Sequence, residues 1–217
     1  MSKKKFRTHI VCLAASKGGV GKSTLTAALA VRAAQDFEKV ALFDGDPQLS
    51  LASWWDRRGG PQNPLLFDGD SSAGAIGLVA SEGFNWMFLD TPPSQLDRIS
   101  AIIACSDFVF IPTRPGIMDL EAVRITEEIC IEHRRPYAFI LNMVAPGTKV
   151  TEAAAAHLRT NRRMLVEPFI SYRPSHSNAM FVGKTAWESR DQTSKREIDA
   201  LWQTVQDTVE KYGRVPG

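Results

Sequence analysis

What this chain has little of narrows it first. It carries three cysteines in 217 residues, Cys12, Cys105 and Cys130, odd in number, widely spaced and without a Cys-x-x-Cys pair. That excludes a disulfide framework and gives no zinc signature; small core residues in a reducing cytoplasm are the reading that fits. No apolar run approaches the ~20 residues that a membrane-spanning helix needs. The basic stretch Met1 to Arg7 is followed by an apolar segment, Thr8 to Ala15, too short and too soon interrupted for a secretory signal. Excess charge of one sign is also missing: the formal net charge is +2, so nucleic-acid binding has to be argued from where basic residues cluster. There is no internal repeat, low-complexity segment or linker. One soluble, cytoplasmic domain spanning residues 1–217 is expected, with residues 1–7 as a flexible basic tail.

What is present centres on Ser16-Lys17-Gly18-Gly19-Val20-Gly21-Lys22-Ser23-Thr24. The apolar run Ile10 to Ala15 before it reads as a buried strand, and Leu25 to Val31 after it as a helix. A strand, a glycine-rich turn and a helix N-terminus form a phosphate cradle: glycines let backbone N–H groups converge on an anion, and the helix dipole adds positive potential. In such a cradle Lys22 reaches the terminal phosphates and the Ser23 hydroxyl holds Mg²⁺. The usual P-loop has glycine where this chain has Ser16, and this chain adds a second lysine, Lys17, before the Gly-Gly pair.

Two further motifs follow apolar strands. Lys39 to Asp44 ends in Asp44-Gly45-Asp46-Pro47-Gln48, and Asn85 to Asp90 runs into Thr91-Pro92-Pro93. Acids just past the C-terminal ends of parallel strands lie in the ligand crevice, and an apolar strand closing on aspartate is the Walker B pattern. The rest alternates. Helices are expected at Ser50 to Arg57, Ser71 to Ser81, Leu96 to Ala104, Met118 to His133, Thr151 to Leu165 and Ser194 to Tyr212. Strands are expected at Leu65 to Phe67, Phe108 to Pro112, Tyr137 to Asn142 and Val166 to Ile170. Ser171 to Arg190 reads as loop with a short helical piece. Such alternation implies an α/β fold with a mostly parallel twisted sheet flanked by helices on both faces. Trp54-Trp55 reads as one core ring beside one partly exposed ring.

With these three motifs in order, the sequence resembles the ParA family of partition ATPases, in its compact form, within the ParA/MinD superfamily. The resemblance implies a P-loop NTPase with ATP and Mg²⁺ as cofactors and slow, partner-stimulated hydrolysis. It also implies an ATP-bound homodimer in which Lys17 reaches across the interface to the partner's phosphates. On this pattern Gly18, Gly19, Val20, Gly21, Lys22, Ser23 and Thr24 form the cradle, and Asp46 orients the attacking water. Asp44 and Asp90 surround the metal with Ser23, and Asn142 reads the adenine edge. Gly45 and Ser23 depart from the commonest family form, tolerably, since serine still ligates Mg²⁺.

Non-specific DNA binding, nucleoid association and a ParB-like or other adaptor are implied in the same way. Arg159, Arg162, Arg163, Arg173, Lys184, Arg190, Lys195 and Arg196 supply candidate phosphate contacts. Amphipathic helices also carry such residues simply as a solvated face. Three rivals are weighed, one of them a catalytically silent binding module, against which the intact Lys22, Ser23, Asp46 and Asp90 argue. A MinD-like membrane-cycling ATPase ends in a basic amphipathic helix, whereas Glu197, Asp199, Asp207 and Glu210 interrupt the last helix here. An iron–sulfur redox ATPase needs paired exposed cysteines at the crevice. The cargo is not legible.

Overall fold

A computed structural model describes residues 7–69, 72–160 and 163–213. The expected tail, up to Phe6, and the candidate DNA contact Arg162 lie outside the described residues. Seven strands alternate with helices: β1 (His9–Leu13), α1 (Lys22–Asp36), β2 (Val40–Asp44), α2 (Ser50–Arg57), β3 (Leu65–Asp68), α3 (Ala73–Ser81), β4 (Trp86–Asp90), α4 (Leu96–Cys105), β5 (Phe108–Thr113), α5 (Ile117–Glu132), β6 (Tyr137–Val144), α6 (Lys149–Arg159), β7 (Leu165–Ser171), α7 (Pro174–Phe181) and α8 (Gln192–Tyr212). A 3₁₀ turn at Ala186–Glu188 links the last two helices. Every strand pairing is parallel, and the order is β3-β2-β4-β1-β5-β6-β7. The expected α/β architecture is the observed one.

The sheet is buried on both faces, so its strands read as continuous apolar runs whose alternate residues serve two cores. Val11, Leu13, Leu42, Trp86, Phe88, Phe108 and Phe110 pack with α1, Trp54 of α2, and α8. Cys12, Ala41, Phe43, Met87, Leu89, Val109 and Ile111 pack with α3, α4, α5 and α6. The small residues Ala27, Ala28, Ala30 and Ala33 are buried and let α1 lie close to the sheet. The apolar stripe of α8, Ile198, Leu201, Trp202, Val205 and Val209, is fully inside, and Trp202 meets Trp86 edge to face at 4.9 Å between ring centroids. That stripe is core packing. Among the described residues no helix is long and apolar enough to cross a membrane.

One local expectation changes. The helix expected to run to Leu165 stops at Arg159, because Leu165 and Val166 are needed as strand partners of Phe139 and Ile140. The cysteines, expected as small core residues, are that: Cys12 and Cys130 lie in one core cluster and Cys105 packs against it. Cys12 and Cys130 are buried, Cys105 half-buried, and burial raises the pKa of all three. Inert thiols result. Among the described residues no three His, Cys, Asp or Glu side chains form a metal cage. Trp54 is the core ring of its pair, and Trp55 is half-buried.

Candidate nucleotide site

Strand register gathers the acids. Leu13 of β1 pairs with Asp90 of β4, which pairs with Asp44 of β2, so the P-loop and both acidic motifs leave the sheet from one row. Gly19 and Gly21 have positive φ, 74° and 89°, a conformation side chains resist. Gly21 is the N-cap of α1, with no side-chain cap and no acid in the first turn. The first N–H groups of a helix lack intrahelical acceptors. Among the described residues no side chain caps them, so the helix N-terminus stays available to an anion.

Around that cradle the charged groups are desolvated. Lys22 is buried; burial lowers its pKa, and Asp90 and Asp46 oppose that shift. Asp90 is fully buried, and neither of its oxygens has a hydrogen bond of ordinary geometry. Burial pushes its pKa up to about 7, opposed chiefly by the facing Ser23 hydroxyl and raised further by Asp44 and Asp46. An unpaired buried carboxylate is costly and marks a site built for a missing partner. Mg²⁺ fits: it takes one or two protein ligands plus phosphate oxygens and water rather than a dedicated cage. Ser23 and Asp90 are the pair placed to hold it, directly or through water.

The other acids divide the labour. Asp44, expected in the metal shell, uses one oxygen to accept from the Asp46 N–H (3.0 Å) and the other from the Ala52 N–H (2.9 Å). Burial raises its pKa, and these backbone donors oppose the rise. Asp44 thereby also fixes the β2–α2 loop from its place beside Asp90. Asp46, at the start of that loop, accepts from the Gln48 N–H on one oxygen, at 2.9 Å, and its carboxylate acts on both Lys22 and Asp90.

Asn142 ends up under the cradle. Its amide donates to the Val20 carbonyl at 2.8 Å, and a Cβ on Gly21 would overlap the same amide. It also lines a cavity of about 100 Å³ between Thr24, Met143, Tyr172, Arg173 and His176. The expected adenine-edge residue is thus a brace for the loop as well as a wall of the space beside it. Sequence reasoning missed His176, whose Nε2 is buried without a partner and whose pKa is lowered by burial. Arg173 Nε is likewise without a hydrogen bond, 4.0 Å from Glu197. The signal for both was their position just past a strand end, where ligands of open α/β sheets bind.

Lys17 stands on the shoulder of the loop, a third exposed, with Nζ 3.0 Å from Asp119 of α5. The candidate DNA contacts do not form one patch. Arg163 is turned inward, bound at both guanidinium ends to the buried Glu127. Arg159 pairs with Glu167, and Arg173 faces Asp191 and Glu197. Lys184, Arg190 and Arg196 are exposed, and Lys195 lies over the Trp187 ring at 4.7 Å.

Residues 11–186 match the model of the CobQ/CobB/MinD/ParA nucleotide binding domain. The maintenance of carboxysome distribution protein A of Gloeobacter kilaueensis is 29% identical over 220 residues, covering 95% of this chain and 96% of that protein. The ParA protein of Rhizobium radiobacter is 26% identical over 178 residues, 77% of this chain and 80% of that protein. In fold, a putative plasmid partition protein of Borrelia burgdorferi bound to AMPPNP superposes with a TM-score of 0.77 at 18% identity, over 93% of this chain and all of that one. The uncapped helix, the orphaned acid and these likenesses agree, and the chain belongs to the CobQ/CobB/MinD/ParA family of nucleotide-binding domains.

Proposed function

We propose that this chain is a ParA-like ATPase whose nucleotide state controls dimerisation, and that it positions a cellular cargo over DNA with the help of an adaptor protein. The observation that carries the reading is the buried, unpartnered Asp90 carboxylate, facing Ser23 and Lys22 at an uncapped helix N-terminus. Cargo positioning rests on the carboxysome-distribution and ParA relatives, which align with most of their length.

Phosphoryl transfer to water needs little covalent help from protein and depends on positioning and charge. The N–H groups of the loop hold the β- and γ-phosphates, and Lys22, its desolvated charge undiluted by solvent, balances charge developing on the transferred group. Asp46 orients the attacking water in line. Ser23 and Asp90 would hold Mg²⁺, which would supply further charge neutralisation. Lys17 completes the partner's site, so hydrolysis requires the dimer. The DNA contacts are Lys184, Arg190, Arg196 and Lys195, on one continuous segment. A lipid-binding role draws no support from α8, whose apolar stripe is spent on the core.

The test is ATP turnover by the purified chain alone, with DNA, with the adaptor from the neighbouring reading frame, and with both. Slow turnover raised most by both together is expected. A response unchanged by either would refute the switch, and ATP-dependent sedimentation with liposomes but not with DNA would move the protein to the membrane-cycling class.

A further inference from the structure

The loop that carries Lys17 is tied to α5 at several points. The Ser16 N–H donates to Thr126 Oγ1 at 3.1 Å, and the Ser16 hydroxyl donates to the Ala122 carbonyl at 3.2 Å. One residue on, Lys17 Nζ sits 3.0 Å from Asp119 Oδ1. That same oxygen accepts from Arg114 Nε at 3.1 Å and from the terminal nitrogen of Arg114 at 3.0 Å. Asp119 is 8% exposed, in the first turn of α5, while Ile117 and Met118, immediately before it in the same turn, are open to solvent at 64% and 68%. Beyond Lys17 the loop is uncovered: Gly18 and Gly19 are exposed, and among the described residues none but its chain neighbours comes within 4 Å of a Cβ built on Gly19.

One buried carboxylate oxygen therefore serves two cations of unequal freedom. Arg114 engages it with two donors, and Lys17 is a single flexible charge at the molecular surface. A lysine bound in this way cannot also reach phosphates on a second copy of the chain; its Nζ has to leave Asp119 first. Removing a lone partner from a buried carboxylate is expensive, because the charge is left uncompensated. Here Arg114 stays behind, so departure of Lys17 leaves Asp119 paired.

We propose that Asp119 is a positioning residue that holds Lys17 in its own protomer until an ATP-bound second copy competes for it, with Arg114 retaining Asp119 after the exchange. This rests on the trans role of Lys17 stated above. A triphosphate, more highly charged than a diphosphate, competes better for the lysine, which gives the exchange its nucleotide dependence. Asp119 and Arg114 thereby set the protein concentration at which the dimer forms.

The experiment is sedimentation velocity over a range of protein concentrations with Mg²⁺ and a non-hydrolysable ATP analogue, on full-length wild type, Asp119→Asn, Asp119→Glu, Arg114→Gln, Lys17→Ala and Lys17→Ala/Asp119→Asn. Thermal melting of the nucleotide-free proteins controls for folding. Asp119→Asn frees Lys17 and lowers the dimerisation midpoint about two- to fivefold, the range of a partly exposed ion pair. Asp119→Glu restores the wild-type midpoint. Arg114→Gln makes Lys17 the only counter-charge of Asp119 and raises the midpoint. The double variant behaves like Lys17→Ala. A Lys17→Ala protein that dimerises as wild type would refute the trans reading and the latch with it. A defective Lys17→Ala beside an Asp119→Asn midpoint at or above wild type overturns the latch alone. Should Asp119→Asn not fold, an Arg114→Gln midpoint at or below wild type does the same.

Discussion

Asp90 holds its charge in the least favourable surroundings of the site: fully buried, with no hydrogen bond of ordinary geometry, and with a pKa raised to about 7. An acid whose folded pKa lies above its unfolded value destabilises the fold when it ionises. The penalty is absent below the unfolded pKa, grows as pH rises from there towards 7, and is full above. Asp90→Asn should therefore make the nucleotide-free protein more stable at pH 8, by up to a few kcal/mol. That advantage should vanish as pH falls towards 4, and urea midpoints of both proteins across pH measure it. The same change should weaken Mg²⁺-dependent nucleotide binding, so a gain in stability and a loss of function share one residue. A wild type whose stability relative to Asp90→Asn does not change with pH would show that the carboxylate is not strained. Strain gathers nearby: Leu49 and Ser94, in the loops that follow β2 and β4, and Met143, at an irregularity near the end of β6, all have positive φ. Such residues cluster where loops serve ligands. Ser94 also donates its N–H to the Ser16 carbonyl at 2.9 Å, linking the loop after β4 to the cradle.

Elements were the most legible level. The order of strands and helices follows from buried apolar runs alternating with amphipathic stretches, and the P-loop falls between strand and helix as its residue types require. What the sequence did not disclose is where long-range side chains go. Asn142 meets Val20, Asp44 turns to Ala52, and Arg163 reaches Glu127, each pairing set by three-dimensional packing rather than by local pattern. The α1 N-terminus illustrates the limit. Glycine at position 21 is readable as part of a motif, yet its necessity comes from two separate facts, a φ of 89° and the Asn142 amide against its missing Cβ. Gly21→Ala should accordingly cost about 1–3 kcal/mol through backbone strain alone and abolish nucleotide binding. Asn142→Ala in the same background should recover part of the stability by removing the overlap, without restoring binding. Chemical denaturation and calorimetric titration with an ATP analogue separate the two effects. A Gly21→Ala protein that still binds the analogue would show that the cradle does not depend on this turn.

At the scale of the whole molecule, the proposed DNA binding turns on which surface would carry it. The sequence offers a scattered set of arginines and lysines, and the fold sorts them by whether an acid already holds them. Arg163 is inside, bonded to Glu127 at 2.5 and 2.7 Å, and the Tyr137 hydroxyl donates to the same carboxylate at 2.8 Å. Lys184, Arg190 and Arg196 project from the segment that leads into the first turn of α8. Phosphate contacts release counterions, so each lysine or arginine that touches the backbone steepens the salt dependence of binding by about 0.9 units of log K per log salt. Replacing Lys184, Arg190 and Arg196 with alanine should therefore weaken binding to any duplex sequence and reduce the slope by up to about 3 per protomer, doubled in the dimer. Arg163→Ala, by contrast, leaves a buried glutamate unpaired and should cost about 3 kcal/mol of stability with the slope unchanged. Fluorescence anisotropy on unrelated duplexes over a salt series reads both. A triple variant with the wild-type slope would remove this segment from the interface, and a reduced slope in Arg163→Ala would return that arginine to it.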